Sequence, residues 1–153
     1  MERFEFSGNY THNIDPKGRA TIPAVFREAL SEGFTLGLNN EFNAVALYPR
    51  EKWYEMRQKL DRIPDSDARA MGYVRTINMY SFPGQTLDNQ GRILIPTALR
   101  QKAKLEKAIR FVGMGRYLEV WAEGVFMEQY NSTIENIADL MAYVNERYFA
   151  DGN

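Results

Sequence analysis

Arg19 and Arg92 stand just after matched turns, Asp15-Pro16-Lys17-Gly18 and Asp88-Asn89-Gln90-Gly91. A guanidinium at the mouth of a strand, directly after a glycine turn, can project from the body and make forked hydrogen bonds to a phosphate or a guanine edge. Lys17 offers a further phosphate contact in the first copy, where the second has Gln90. A carboxylate would be repelled by a polyanion, so Asp15 is expected to cap its turn or to orient Arg19 by an ion pair, with Asp88 the counterpart before Arg92. Gly18 and Gly91 supply the positive φ that such a turn needs. A D-x-x-G-R turn taken alone also has a plainer meaning, in which the aspartate caps the loop, the arginine pairs with it and nothing further follows.

Other chemistry is poorly supplied. There is no cysteine, and His12 is the only histidine, which excludes disulfides, thiolate zinc sites and an imidazole metal site. Carboxylate-bound magnesium or calcium stays open, but no acidic loop has the required spacing. No nucleophile-base pair and no paired carboxylates point to an enzyme. No cofactor or small-molecule substrate is implied. Basic and acidic residues number 19 and 20, which argues against coating nucleic acid through bulk charge. Mean hydropathy is negative, apolar runs are short, and the first ten residues include acidic ones where a signal peptide would need an apolar stretch; the expectation is a soluble, cytoplasmic protein without a membrane partner.

The elements that carry the two arginines occur twice. Asp15, Gly18, Arg19, Ile22, Pro23 and Arg27 recur 73 positions later as Asp88, Gly91, Arg92, Ile95, Pro96 and Arg100. The register holds without a gap over roughly fifty positions, apolar for apolar, as in Leu36 with Ile109 and Tyr48 with Trp121, which marks a duplicated unit. Each unit predicts a strand ("FEFSGNYTHNI", "MYSFPGQTL"), the turn, a short strand ("RATI", "RILI"), and a helix of about two turns opened by proline ("PAVFREAL", "PTALRQKAKL"). Phe26, Leu30 and Leu99 face inward. Two more strands close each unit: "FTLGL" and "NAVALYP", then "AIRFVGM" and "YLEVWAE". Between the units, "REKWYEMRQKL" and "ARAMGYVRTI" predict helices, the second capped from the cluster Asp65-Ser66-Asp67, with Trp53, Met56 and Leu60, then Met71, Val74 and Ile77, on their inner faces. The tail from Phe126 to Tyr148 carries apolar residues at spacings of three, four and seven, a continuous amphipathic helix with length to spare for a subunit interface. The boundaries expected are residues 4–52 for the first half, 53–76 for the connecting helices, 77–125 for the second half and 126–149 for the tail.

"FSGNYTHNIDPKGRATIPAVFR", "ALYPREKW", "LDNQGRILIPTALR" and "FVGMGRYLEVW" resemble the MraZ family of bacterial transcriptional regulators, which have two tandem SpoVT-AbrB-like halves. The resemblance spans about residues 4 to 130, and its motif of D-x-x-x-R, I-P and a helical arginine occurs twice. It implies an α+β fold, mainly β with flanking helices, in which interleaved hairpins from the two repeats form a swapped-hairpin barrel within one chain. It also implies a ring-like homo-oligomer, associated with the nucleoid, that binds double-stranded DNA at tandem promoter repeats and regulates, mainly by repression, the division and cell wall gene cluster. Together with the residue chemistry, the resemblance makes Arg19, Lys17, Arg92 and Arg27 the expected DNA-binding residues, and the first copy is expected to dominate because Gln90 replaces Lys17 in the second. Arg27 and Arg100 have two further readings, as ion-pair partners of neighbours such as Glu28 and as subunit contacts. His12 is expected on the sheet surface, within reach of a phosphate, and Gly113 to Arg116 as a hairpin turn rather than a phosphate cradle. The competing reading is an AbrB-like protein-interaction module of antitoxin type without specific DNA binding.

A near-neutral subunit with one or two basic turns should hold DNA weakly, because affinity follows the number of phosphates neutralised. Several copies presenting one turn each along the same DNA would raise avidity by roughly 10² to 10⁴. Sites in phase with the helix, about 10 base pairs apart, are the corresponding expectation.

Overall fold

The computed structural model describes residues 6–150; Phe4 and Glu5, where the first expected strand begins, lie outside them. The chain divides after Ala122 into two compact units. In the first, eight strands form: β1 (Asn9–Asn13), β2 (Arg19–Thr21), β3 (Phe34–Leu38), β4 (Val45–Pro49), β5 (Phe82–Gln85), β6 (Arg92–Leu94), β7 (Ala108–Gly113) and β8 (Leu118–Ala122). The helices of this unit are α1 (Arg50–Leu60), α2 (Ala68–Met79) and the short α3 (Thr97–Lys102).

Pairing interleaves the two copies. Six strands run β1-β7-β8-β4-β3-β5, and β2 with β6 makes a separate two-stranded ribbon, all antiparallel. Only the β3–β4 and β7–β8 hairpins are internal to one copy. The register carries a pseudo-twofold: Ala20 faces Ile93 and Ala46 faces Glu119, the two places where residues 73 positions apart are directly opposite. The expected fold class holds, a β core flanked by helices, but the six-stranded sheet is open, since β1 and β5 at its two ends are not paired with each other.

The core follows from position in the sheet. β4 and β8 sit at the centre with β3 beside them, and all three are buried nearly throughout, so their apolar runs have no solvent face. At the edge, β1 is exposed along its whole length, which the alternation in its sequence does not foretell. The opposite edge strand, β5, pairs irregularly, with a register shift between Phe34 and Leu36. Pro83 within β5 has no N–H to give the ladder, which confines it to an edge or a bulge. Phe26, Leu30 and Leu99 are buried as expected, with Ile22 and Ile95 fully enclosed beside them.

The proline-opened helices differ between copies. Thr97–Lys102 is α-helical, whereas the first copy makes two successive 3-10 turns, Ala24–Phe26 and Glu28–Leu30. Pro23 and Pro96 occupy the N-cap with extended ψ rather than the first helical position. Asp67 caps α2 by accepting from the Ala70 N–H at 3.0 Å. Neither α1 nor α2 has a buried residue, so the expected inner faces are half-buried, not core.

In the second unit the tail is two helices, α4 (Glu123–Glu135) and α5 (Ile137–Tyr148), not one. At the break, Asn136 donates its side-chain amide to the Ser132 carbonyl at 2.9 Å, a local bond that competes with the helical ladder.

Candidate nucleic-acid interface

The two turns agree atom for atom. Asp15 Oδ1 accepts from the Lys17 and Arg19 backbone N–H groups, each at 2.9 Å, and its Oδ2 accepts from Arg19 Nε at 2.7 Å. Asp88 repeats this with Gln90 at 2.9 Å, Arg92 N–H at 2.8 Å and Arg92 Nε at 2.8 Å. Backbone bonds close each loop, Gly18 N–H to the Asp15 carbonyl and Gly91 N–H to that of Asp88. The glycines take φ of +86° and +75°, values that only glycine adopts without strain. Hydrogen bonds from the arginine, its own backbone N–H first, hold both carboxyls below the ordinary aspartate value, outweighing the cost of desolvation. Each aspartate is thus a fixed anion that aims its arginine, and because the ion pair uses Nε, the terminal amino groups lie outside it.

A second pair of arginines locks these turns across the repeat. Arg27 donates Nε to the Ile22 carbonyl at 2.9 Å, and Arg100 does the same to Ile95 at 2.9 Å, with a further bond to Thr97 Oγ1. So anchored, each guanidinium lies against the glycine turn of the other copy. A Cβ on Gly91 would stand 2.4 Å from Arg27 Nε, and one on Gly18 2.7 Å from Arg100 Cζ. The turns are stitched into the ribbon as well, since Ile22 N–H donates to the Gly91 carbonyl and Ile95 N–H to that of Gly18.

The ribbon decides where the first pair of arginines points. Ala20 and Ile93 are buried, so the flanking positions Arg19, Thr21, Arg92 and Leu94 share the opposite, outward face. Arg19 faces Leu94 and Thr21 faces Arg92, which makes the two arginines diagonal neighbours with Cα atoms about 7–8 Å apart. Lys17 is exposed beside this face, as is Gln90 in the second copy.

The chain matches the family described as "MraZ protein, putative antitoxin-like" over residues 6–75 and 84–145. It belongs to the MraZ family. Relatives named "Transcriptional regulator MraZ" include that of Desulforamulus reducens, 40% identical over 89% of this chain and 99% of its own. That of Moorella thermoacetica is also 40% identical, covering 88% and 97% respectively. A Thermoanaerobacter relative is 36% identical over 91% of this chain and 96% of its own.

Elsewhere in this MraZ-family chain, His12 lies exposed on β1, edge-on to Phe111 at 5.8 Å. The expected hairpin turn at Gly113 to Arg116 falls where β7 joins β8, with Gly113 itself the last residue of β7. Gly113 leaves no room for a side chain, because a Cβ there would stand 2.3 Å from the Ser7 backbone nitrogen. Arg116 reaches back to α1 and pairs with Glu55 and, at 3.7 Å, with Glu51, which ties the hairpin to that helix. Among the described residues, no group of three or more acidic or histidine side chains could hold a metal, and no helix is long and apolar enough to cross a membrane. Sequence reasoning missed the contacts of Arg27 and Arg100 with the opposite turns. The signal was present in the repeated pairing of a glycine turn with an arginine nine positions on.

Proposed function

We propose that the protein is a sequence-specific transcriptional regulator that binds double-stranded DNA through the outward face of the β2–β6 ribbon, with no enzymatic step. Arg19 and Arg92 read base edges or phosphates, Lys17 adds a phosphate contact, and Asp15 and Asp88 orient the arginines. Arg27 and Arg100 act from behind, by holding the opposite turn. The observation that carries this reading is the coincidence of two aspartate-aimed guanidiniums on one exposed face. The names borne by the relatives support it.

Tandem promoter repeats upstream of the division and cell wall genes are the proposed sites, with repression the outcome and the nucleoid the location. A ring-like homo-oligomer supplies the avidity that a subunit of net charge −1 lacks. The second unit suits self-association: α5 bears a groove lined by Ile137, Leu140, Met141, Val144 and Phe149, most of them exposed. The test is an anisotropy titration against one promoter box and against a tandem array. Binding of the array tighter by roughly 10² or more supports the proposal, and equal affinity for the two refutes the multivalent part. A second reading, a protein-binding module of antitoxin type, draws on the family description and the same exposed groove. Absence of sequence-specific binding to either fragment would favour it.

A further inference from the structure

The half-buried faces of α1 and α2 enclose a cavity of about 390 Å³ against the ends of β3 and β4, within the first unit. Its size falls in the range of about 300–1,000 Å³ usual for small-molecule sites. Its wall is aromatic. Tyr48 stacks on Trp53 with centroids 6.0 Å apart and contacts Tyr117 at 5.2 Å, while its hydroxyl donates to the Leu38 carbonyl at 2.7 Å and so fixes the ring. Tyr73 joins the lining from α2. The charge of the lining is one-sided: Lys52 and Lys59 contribute to it, and no aspartate or glutamate does. Lys52 Nζ sits 5.8 Å from the Tyr117 ring centroid, held at the aromatic wall. Glu119, the nearest buried carboxylate, has both oxygens engaged, accepting from Asn39 Nδ2 at 3.2 Å and Trp121 Nε1 at 2.8 Å. Burial raises the Tyr48 and Tyr117 phenols further above neutrality, so both stay uncharged.

We propose that this cavity binds a small planar aromatic anion, its ring stacked against Tyr48, Trp53 and Tyr117 and its acidic group held by Lys52 and Lys59. Rings offer a flat partner the dispersion and quadrupole contacts that aliphatic walls do not. Lys52 and Lys59 on the wall favour an anion over its neutral counterpart, against the charges of Glu41 and Glu119, which act on Tyr117 from outside the lining. Such a ligand would be an effector, not a substrate: no residue lining the cavity belongs to either arginine turn.

Isothermal titration calorimetry of the full chain with naphthalene-2-sulfonate, and with 2-naphthol as the uncharged counterpart, tests it. Saturable binding of the sulfonate is expected, about fivefold to tenfold tighter than 2-naphthol. Lys52→Gln with Lys59→Gln should erase that preference while leaving 2-naphthol binding unchanged, with folding verified by circular dichroism. Met141→Ser on α5 should leave both ligands unaffected. No saturable heat up to millimolar probe, equal affinity for the two compounds, or a preference that survives the double lysine change would overturn the proposal. Loss of binding in Met141→Ser would place the probe on the tail, and binding that weakens as protein concentration rises would give the cavity to a second copy; either result also overturns it.

Discussion

The Asp15–Arg19 and Asp88–Arg92 turns share every hydrogen bond that shapes them, yet they present different charges to solvent. Lys17 stands exposed in the first turn where Gln90 stands in the second, and the Arg19 and Arg92 side chains are about equally accessible, at 32% and 28%. Geometry is therefore the inherited part, imposed by aspartate, glycine and the arginine of the opposite copy. Charge is the part free to diverge, because position 17 or 90 contributes only its backbone N–H to the turn. The lesson is that a duplicated motif can keep two arginines aimed alike while only one of them has an exposed lysine beside it.

The bluntest way to break the comparison is to remove both guanidiniums. Arg19→Ala with Arg92→Ala should reduce binding of the tandem array to the non-specific level, since each base-reading arginine contributes about 1–3 kcal/mol. Electrophoretic mobility at fixed salt, beside an unrelated fragment, reads the result. Next in size are Gly18→Ala and Gly91→Ala, which force an L residue into the left-handed region at about 1–2 kcal/mol and crowd an anchored guanidinium besides. Each should lower Tm by roughly 2–4 °C per kcal/mol, and equal shifts would show that the turns are structurally equivalent. A smaller effect sharpens the charge difference. Lys17→Gln should make the slope of log K against log salt shallower by about 0.9 per phosphate lost, and Gln90→Lys should steepen it by a similar amount.

Acidity should have the least effect over the ordinary range. Both aspartates have folded pKa values lowered below the unfolded one, so their contribution is fully present above the unfolded value of about 3.9. It is lost only as pH falls through the still lower folded value. Thermal melts between pH 5 and 8 should therefore show no step from either turn, and Asp15→Asn with Asp88→Asn should flatten whatever decline appears below pH 4.

Much of this architecture was legible because the repeat writes its turns in residue types with few alternatives. Asp15, Gly18 and Pro23, each with a counterpart, fix a turn, a strand and a helix start before any tertiary contact is considered. Burial was less legible. The alternation in "NYTHN" suggests a half-buried strand, but β1 lies at an edge, and only pairing decides which strand is central. Asn136 breaks the tail through a bond to Ser132 that a hydrophobic period does not register. Hardest to see was the contact of Arg27 with Gly91 and of Arg100 with Gly18. It joins residues more than sixty positions apart, and its cause is the crossing of the two copies rather than any local preference.

One titration bears most directly on the central claim, that the first turn dominates DNA recognition although the second is built identically. Anisotropy with the tandem array should show Arg19→Ala losing specific affinity by at least about tenfold and Arg92→Ala losing clearly less, with both variants melting like the wild type. If Arg19→Ala retains specific binding while folded, or if Arg92→Ala proves the more damaging change, the account is contradicted.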